Sequence, residues 1–282
     1  MSENILCFYH SADLDGKCSG AIVKYIYPDA KLVPFNYDKK IDWSLINKDS
    51  IVYMVDISAS KEDMLELKRI TKKFIWIDHH ISKINELEGI EFDGLRKDGT
   101  AACILTWEYL RNTNVPHSVK YLGRYDVWDL NTDVLVFQYG MRQYDCDPNK
   151  QEFWESVFTD MGFVDSILQD GQILYDYIKT DNRVVSNSVC FITKFREYKV
   201  LAVNRSHISS LFFEEHPEVN DVDIMIPFSW DGKSWKLSMY TEKDDVDVSK
   251  ICQEFGGGGH KKAAGMFVEK LPKEIKEALF GE

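Results

Sequence analysis

Carboxylates and imidazoles recur in this sequence directly after short apolar runs. Asp78-His79-His80 closes the run Phe74-Ile75-Trp76-Ile77, and His10-Ser11-Ala12-Asp13-Leu14-Asp15-Gly16 follows Ile5-Leu6-Cys7-Phe8-Tyr9. Asp56-Ile57-Ser58 in turn follows Ile51-Val52-Tyr53-Met54-Val55. Oxygen and imidazole donors suit manganese, iron or zinc. Each cluster also has a plainer reading: two histidines after a carboxylate can cap a strand, Asp56 alone suits a turn, and aspartates favour helix caps and first turns. A histidine and two aspartates within the six residues from His10 to Asp15 exceed what capping requires, and several such clusters together point to metal ligation. Asp126, in Arg124-Tyr125-Asp126-Val127-Trp128-Asp129, is a further candidate ligand. Asp129 shares a face with it if the segment is helical.

A second chemical signal stands near the C-terminus, in Gly256-Gly257-Gly258-Gly259-His260-Lys261-Lys262-Ala263-Ala264-Gly265. Glycines let backbone amides approach an anion without side-chain obstruction, and a helix starting near His260 would turn its positive end toward it. His260, Lys261 and Lys262 add donors and charge. A flexible turn with a solvated basic pair is the alternative, but it needs fewer glycines than this.

The elements that must carry these groups follow from periodicity. The three apolar runs have the length and composition of buried strands. Residues 17–27 show helical spacing up to Pro28, and 61–72 form an amphipathic pattern that Ser58 or Ser60 can cap. Strand–helix units with right-handed crossovers make a parallel sheet whose carboxyl ends share one edge, so the acids and imidazoles can converge there. Asp98-Gly99-Thr100 reads as the N-cap of a helix ending near Arg111, and Pro116 opens another that runs toward Asp129. Residues 151–185 read as a helical connector. Strand patterns at 188–193, 198–203, 222–228 and 234–240, with an amphipathic segment near 206–213, describe a smaller α/β unit. The expected organisation is an α/β protein with a catalytic domain over 1–150, the connector over 151–185 and a substrate-binding domain over 186–282.

The chain has 282 residues, enough for two cores. No apolar stretch approaches the roughly 20 residues that span a bilayer, and the N-terminal residues lack a signal peptide's pattern, so a cytoplasmic location without membrane association is expected. Cys7, Cys18, Cys103, Cys146, Cys190 and Cys252 are scattered without a C-x-x-C pair, as reduced thiols are. The formal charge of −12 argues against broad binding of long nucleic acid. Nothing excludes a homodimer.

In combination, His10-x-x-Asp13-x-Asp15-Gly16, Val55-Asp56, Asp78-His79-His80, Asp126 and the Gly256–Gly265 string resemble the DHH phosphoesterase superfamily. The branch resembled is the one with a C-terminal nucleotide-binding domain: RecJ-type exonucleases, nanoRNases and cyclic di-AMP phosphodiesterases. That resemblance implies two divalent metals, usually manganese, with magnesium or cobalt as alternatives. It implies that His10 and Asp13 hold one metal, that Asp15, His79 and Asp126 hold the other, and that Asp56 bridges them. Asp78 then orients His79, and His80 contacts substrate phosphate. The Gly256, Gly257, Gly258 and Gly259 amides and His260 hold a phosphate in the C-terminal domain, and Arg205 either touches nucleotide or lies on the surface.

The spacing of two residues between His10 and Asp13, where several relatives have three, bears on loop geometry. The context of Asp126, which replaces the D-T-G of nanoRNases, bears on substrate and makes Asp129 an alternative ligand. A metal pair lowers the pKa of water and screens an attacked phosphorus. The expected reaction is therefore two-metal hydrolysis of short oligonucleotides or dinucleotides to nucleoside monophosphates. A cyclic dinucleotide or 3′-phosphoadenosine 5′-phosphate is the alternative substrate, and a non-catalytic nucleotide sensor is the rival from another class.

Overall fold

A computed structural model describes residues 4–281, which divide into two compact units, one ending at Tyr175 and the other beginning at Asp176. The first contains β1 (Asn4–His10), α1 (Leu14–Ile26), β2 (Lys31–Phe35), β3 (Ser50–Val55), α2 (Lys61–Ile70) and β4 (Lys73–Ile77). It continues with α3 (Ile81–Glu86), α4 (Ala102–Arg111), α5 (His117–Asp126), α6 (Thr132–Met141) and α7 (Gln151–Thr159), and α8 (Met161–Val189) follows. The sheet order is β2-β1-β3-β4 and every pairing is parallel. The expected parallel sheet is present, with β2 as an additional edge strand. Pro34 within β2 is tolerated because an edge strand can leave one side of its backbone unpaired.

Both faces of this sheet are covered, as parallel sheets require. Leu6, Phe8, Val52, Met54, Phe74 and Trp76 alternate onto one face, where Met64 and Leu67 of α2 pack. Cys7, Tyr9, Tyr53, Val55, Ile75 and Ile77 take the other face, with Val23 of α1 and Leu105 of α4. A second core joins α1, α4, α5, α6, α7 and the start of α8 through Trp107, Val119, Phe137, Trp154 and Ile167. The helices that carry Asp15 and Asp126 are fixed to one another by that core.

The helix over 102–111 is not capped by Asp98-Gly99-Thr100. Its N-cap residue is Ala101, which has no side-chain hydrogen bond to offer. Asp15 of α1 supplies the cap instead, accepting the backbone N–H of Ala102 and of Cys103. At the other expected cap, Ser60 is the residue used, its hydroxyl accepting Asp63 N–H at 3.1 Å.

The second unit is built on a mixed sheet of β5 (Phe191–Phe195), β6 (Tyr198–Asn204), β7 (Ile224–Trp230), β8 (Trp235–Tyr240), β9 (Gly258–His260) and β10 (Ala263–Val268). The order is β5-β6-β7-β8-β10-β9. Helices α9 (Val248–Glu254) and α10 (Lys273–Phe280) cover one face through Ile251, Cys252, Ile275 and Leu279. The amphipathic segment near 206–213 is only a short 3-10 turn, Ser210–Phe212, which buries Phe212 and Phe213 on the opposite face. The six cysteines are free, and Cys190 is the one that is only partly buried. Among the described residues no helix is long and apolar enough to cross a membrane.

Candidate active site

Parallel register brings the strand ends side by side. Tyr9 pairs with Val55 and Val55 with Ile77, so His10, Asp56 and Asp78 leave three adjacent strands at one edge. The chain turns sharply at Asp56, whose φ is +60°, in the left-handed region that aspartate tolerates better than most residues. Its N–H donates to Ile77 O at 2.9 Å, fixing the turn against β4. Below His10, α1 approaches so closely that a Cβ on Gly16 would lie 2.1 Å from His10 O. That contact leaves Asp13 to cap the helix, accepting Gly16 N–H at 3.0 Å, and puts Asp15 in its first buried turn.

The acids converge on His79. Its Nε2 lies 3.2 Å from Asp126 Oδ2, 3.3 Å from Asp56 Oδ1 and 3.8 Å from Asp15 Oδ2. Ligand atoms of Asp15, His79 and Asp126 all fall within 4.8 Å of one another, and so do those of Asp56, His79 and His80. His10 and Asp13 form a neighbouring pair, Nε2 to Oδ2 at 3.5 Å. Asp126 is the last residue of α5, and that helix packs closely on α4: a Cβ on Gly123 would lie 2.6 Å from Ile104 Cδ1.

Burial, and then the charges of Asp15, Asp13, Asp126 and Asp78, push the Asp56 carboxyl well above the usual range. Burial with Asp15, Asp13 and Asp78 raises Asp126 to about 9. Asp13 is raised by burial and Asp15, against the Gly16 hydrogen bond and the imidazoles of His10 and His80. His79 is lowered, since burial outweighs the surrounding acids, which keeps its ring in the neutral form that binds a cation. Such a cluster invites a compensating positive charge. Two buried atoms of it, Asp126 Oδ2 and His10 Nδ1, have no hydrogen-bond partner among the described residues. A mixed oxygen and imidazole donor set with unsatisfied buried atoms fits divalent cations.

The DHH triplet divides its work differently from the expectation. Asp78 does not address the ring of His79. Its Oδ1 accepts the backbone N–H of His79 at 2.7 Å and of His80 at 3.1 Å, and meets His80 Nδ1 at 2.6 Å, while Oδ2 accepts Trp76 Nε1–H at 3.1 Å. The ring that Asp78 orients is therefore His80's. Burial opposes charge on that ring, but the Asp78 hydrogen bond and the charges of Asp78, Asp15 and Asp13 outweigh it and raise its pKa.

Asp129 is bound by Arg124, Oδ2 to Nε at 2.7 Å, and belongs to neither ligand group. Sequence reasoning missed Tyr37, whose ring stands 5.9 Å from that of His10 and 6.4 Å from that of His80. Burial and the charges of Asp78, Asp56 and Asp13 push its phenol upward, so it stays neutral.

In the C-terminal unit no helix starts at His260. The glycine run leads out of the end of α9 into the edge strand β9, which pairs antiparallel with β10. Gly256 N–H donates to Gln253 O at 3.1 Å and Gly257 N–H to Cys252 O at 2.8 Å. Two of the four expected phosphate donors are thus spent closing α9. Gly258, Gly259 and His260 lie on the sheet's edge. Arg205 stacks 4.9 Å over the Phe212 ring and stands 3.9 Å from Asp181.

No protein-family model matches the chain. An uncharacterized protein of Acanthamoeba polyphaga mimivirus is 26% identical over 294 residues, covering 92% of this chain. The chain spans 66% of the length of that curated relative. Three solved structures are similar over nearly all of the chain. The pGpG-specific phosphodiesterase PggH of Vibrio cholerae matches with a TM-score of 0.59 at 11% identity, covering 94% of this chain and 93% of that one. The DHH domain of a member of the s1p family of ribosomal proteins matches at 0.60 and 16%, covering 98% and 85%. An exopolyphosphatase-related protein from Bacteroides fragilis matches at 0.51 and 16%, covering 97% and 90%. With a parallel sheet followed by a second mixed sheet, and with the DHH triplet at the edge of the first, this chain has the fold of the DHH-domain proteins.

Proposed function

We propose that this protein is a metal-dependent phosphoesterase that hydrolyses the phosphodiester bond of short oligonucleotides or dinucleotides to nucleoside monophosphates. The observation that carries the reading is the convergence of Asp15, Asp56 and Asp126 on His79 Nε2, within 3.2 to 3.8 Å, from four separate segments. A structural ion cluster has no use for so many acids around one neutral imidazole. Asp15, Asp56, His79 and Asp126, with His10 and Asp13 beside them, would hold two divalent cations, manganese being one that this mixed oxygen and imidazole set suits. Bound there, the pair supplies an activated water and neutralises charge on the attacked phosphoryl group.

The chain's own groups do the rest. Asp78 takes the proton side of His80 Nδ1, which leaves Nε2 as the outward nitrogen. The raised pKa favours the imidazolium form, whose outward N–H would donate to a non-bridging phosphate oxygen and stabilise charge that develops in an in-line displacement. Asp15 is locked by two backbone N–H groups, so its position is set before substrate arrives. The net charge of −12 favours short substrates over long strands. The dinucleotide specificity named for the Vibrio cholerae protein of the same fold supports this size class.

The test is incubation of the purified chain with Mn²⁺ and a panel of 5′-phosphorylated dinucleotides, cyclic dinucleotides, 3′-phosphoadenosine 5′-phosphate and short RNA and DNA, with products separated by chromatography. Monophosphate release that disappears in Asp56→Asn while the chain stays folded is the expected result. Binding without turnover across the panel would make it a sensor instead.

A further inference from the structure

Away from the acid cluster, the N-terminal unit holds a cavity of about 550 Å³ where α4 ends, α5 begins and α7 passes into α8. Buried side chains of Trp107, Val157, Phe158 and Val164 make its floor, and the exposed Arg111, His117 and Lys120 stand around them. In a chain with a formal charge of −12, two cations and an imidazole gathered at one cavity are out of proportion. None of the three has an ion pair or a side-chain hydrogen bond among the described residues. Arg111 is held by ring faces instead, its Cζ 5.6 Å from the Tyr25 centroid and 5.8 Å from that of Trp107, so its fork of N–H donors is unspent. Asp160 is the acid of this lining, and its Oδ1 is committed to the start of α8, accepting Gly162 N–H at 2.9 Å and Phe163 N–H at 3.2 Å.

Two further observations bear on what fills it. The first turn of α5 lines the same cavity with Pro116 as its N-cap, so no capping side chain takes up the N–H groups of that turn. The hydroxyl of Ser118 is spent elsewhere, on Val157 O at 2.6 Å. Beside this polar end, Pro116 and Met161, the latter 58% exposed, add apolar surface to the buried floor. An inorganic ion would leave that surface and most of the volume unused, whereas a small organic anion uses both.

We propose that this cavity binds a phosphomonoester of mononucleotide size, with its phosphate at Arg111, Lys120 and the first turn of α5 and its organic part over the apolar floor. A guanidinium offers such a phosphate two parallel N–H bonds, and an ammonium adds a point charge. The site is separate from the acid cluster. Helix α5 runs about 15 Å from its opening turn here to Asp126, its last residue, and α4 runs from the Asp15 cap to Arg111. An occupant therefore rests on the far ends of the two helices that carry Asp126 and hold Asp15.

The test is calorimetric titration of the metal-free chain, dialysed out of chelator, with AMP, adenosine and inorganic phosphate. No turnover enters the measurement, so its outcome is independent of the phosphoesterase reading. AMP is expected to bind at least about tenfold more tightly than adenosine or phosphate, and Arg111→Ala and Lys120→Glu each to weaken AMP by about tenfold. Arg111→Ala also gives up the ring contacts, whereas Lys120→Glu places an acid in the exposed first turn of a helix, where it favours folding. A wild type that does not bind AMP, or AMP binding that Lys120→Glu leaves unchanged, overturns the site. Phosphate bound as tightly as AMP overturns the organic half of the proposal.

Discussion

The Asp15 carboxylate accepts the backbone N–H of Cys103 at 2.8 Å across 88 positions of sequence. With the bond from Ala102 at 2.9 Å, this makes one residue both an acid of the candidate metal cluster and the cap of α4. Asp56 and Asp126 accept no backbone N–H among the described residues, and both are pushed upward by burial and by their neighbours.

Three substitutions at the cluster should therefore separate by sign. In chelator, Asp15→Ala melts below the wild type, because two buried N–H groups lose their acceptor at about 1–3 kcal/mol each. Asp56→Asn and Asp126→Asn melt above it at neutral pH, because each removes a carboxyl that has to take up a proton to fold. All three lose Mn²⁺ on metal analysis. A stabilised Asp15→Ala chain would remove the capping role.

The metal-free protein should lose stability as pH rises. Asp126 moves from 3.8 to about 9 on folding, chiefly by burial and then by Asp15, Asp13 and Asp78. Between those limits the folded chain keeps a proton that the unfolded chain has released, so raising pH favours unfolding. Asp56 acts in the same direction. Melting temperature in chelator is expected to fall across that window, and saturating Mn²⁺ to reverse the slope, since the cation replaces the protons. A profile in chelator that is flat through neutral pH contradicts this.

The strands that carry the ligands were legible because each is a both-sided apolar run, which only a covered parallel strand needs. Strand β2 was not, since Pro34 and the exposed Lys31 obscure an edge strand, and Tyr37 went unnoticed with it. The cap of α4 comes from another helix, which local sequence cannot announce. The glycines ahead of His260 suggest an anion cradle with a helix starting near that histidine, yet glycine after a helical stretch is as much a stop signal, and α9 ends just before the run. That Asp78 serves His80 was also within reach, because an aspartate bonds most readily to backbone one or two residues on.

Within the glycine run, Gly258 and Gly259 should respond oppositely to alanine. A Cβ on Gly258 meets nothing within 4 Å, whereas Gly259 has φ +143° and its Cβ would lie 2.6 Å from Ala263 O. Gly258→Ala should melt within roughly 1 kcal/mol of the wild type and so report on nucleotide affinity alone. Gly259→Ala should disturb the β9–β10 hairpin, and equal melting of the two variants would contradict the edge-strand geometry.

Asp129→Ala should change neither metal content nor turnover. The side chain is 62% exposed and bonded to Arg124 on the surface. Loss of one equivalent of Mn²⁺ would restore it as a ligand.

Asp78→Asn should separate the two histidines of the triplet. The carboxylate is fully buried and takes four donors: Trp76 Nε1–H on one oxygen, and on the other the N–H groups of His79 and His80 with His80 Nδ1. An asparagine supplies one acceptor oxygen and must turn its amide donors on the remaining partners, which costs about 1–3 kcal/mol of stability. The imidazole left without its anion is His80, so turnover is expected to fall about 10- to 100-fold, the scale of losing an orienting partner. Manganese content should be retained, because the His79 ring keeps its own acids. If the two residues act as one unit, Asp78→Asn/His80→Ala is no slower than His80→Ala alone. Loss of manganese in Asp78→Asn, with the chain still folded, would instead make Asp78 the support of His79.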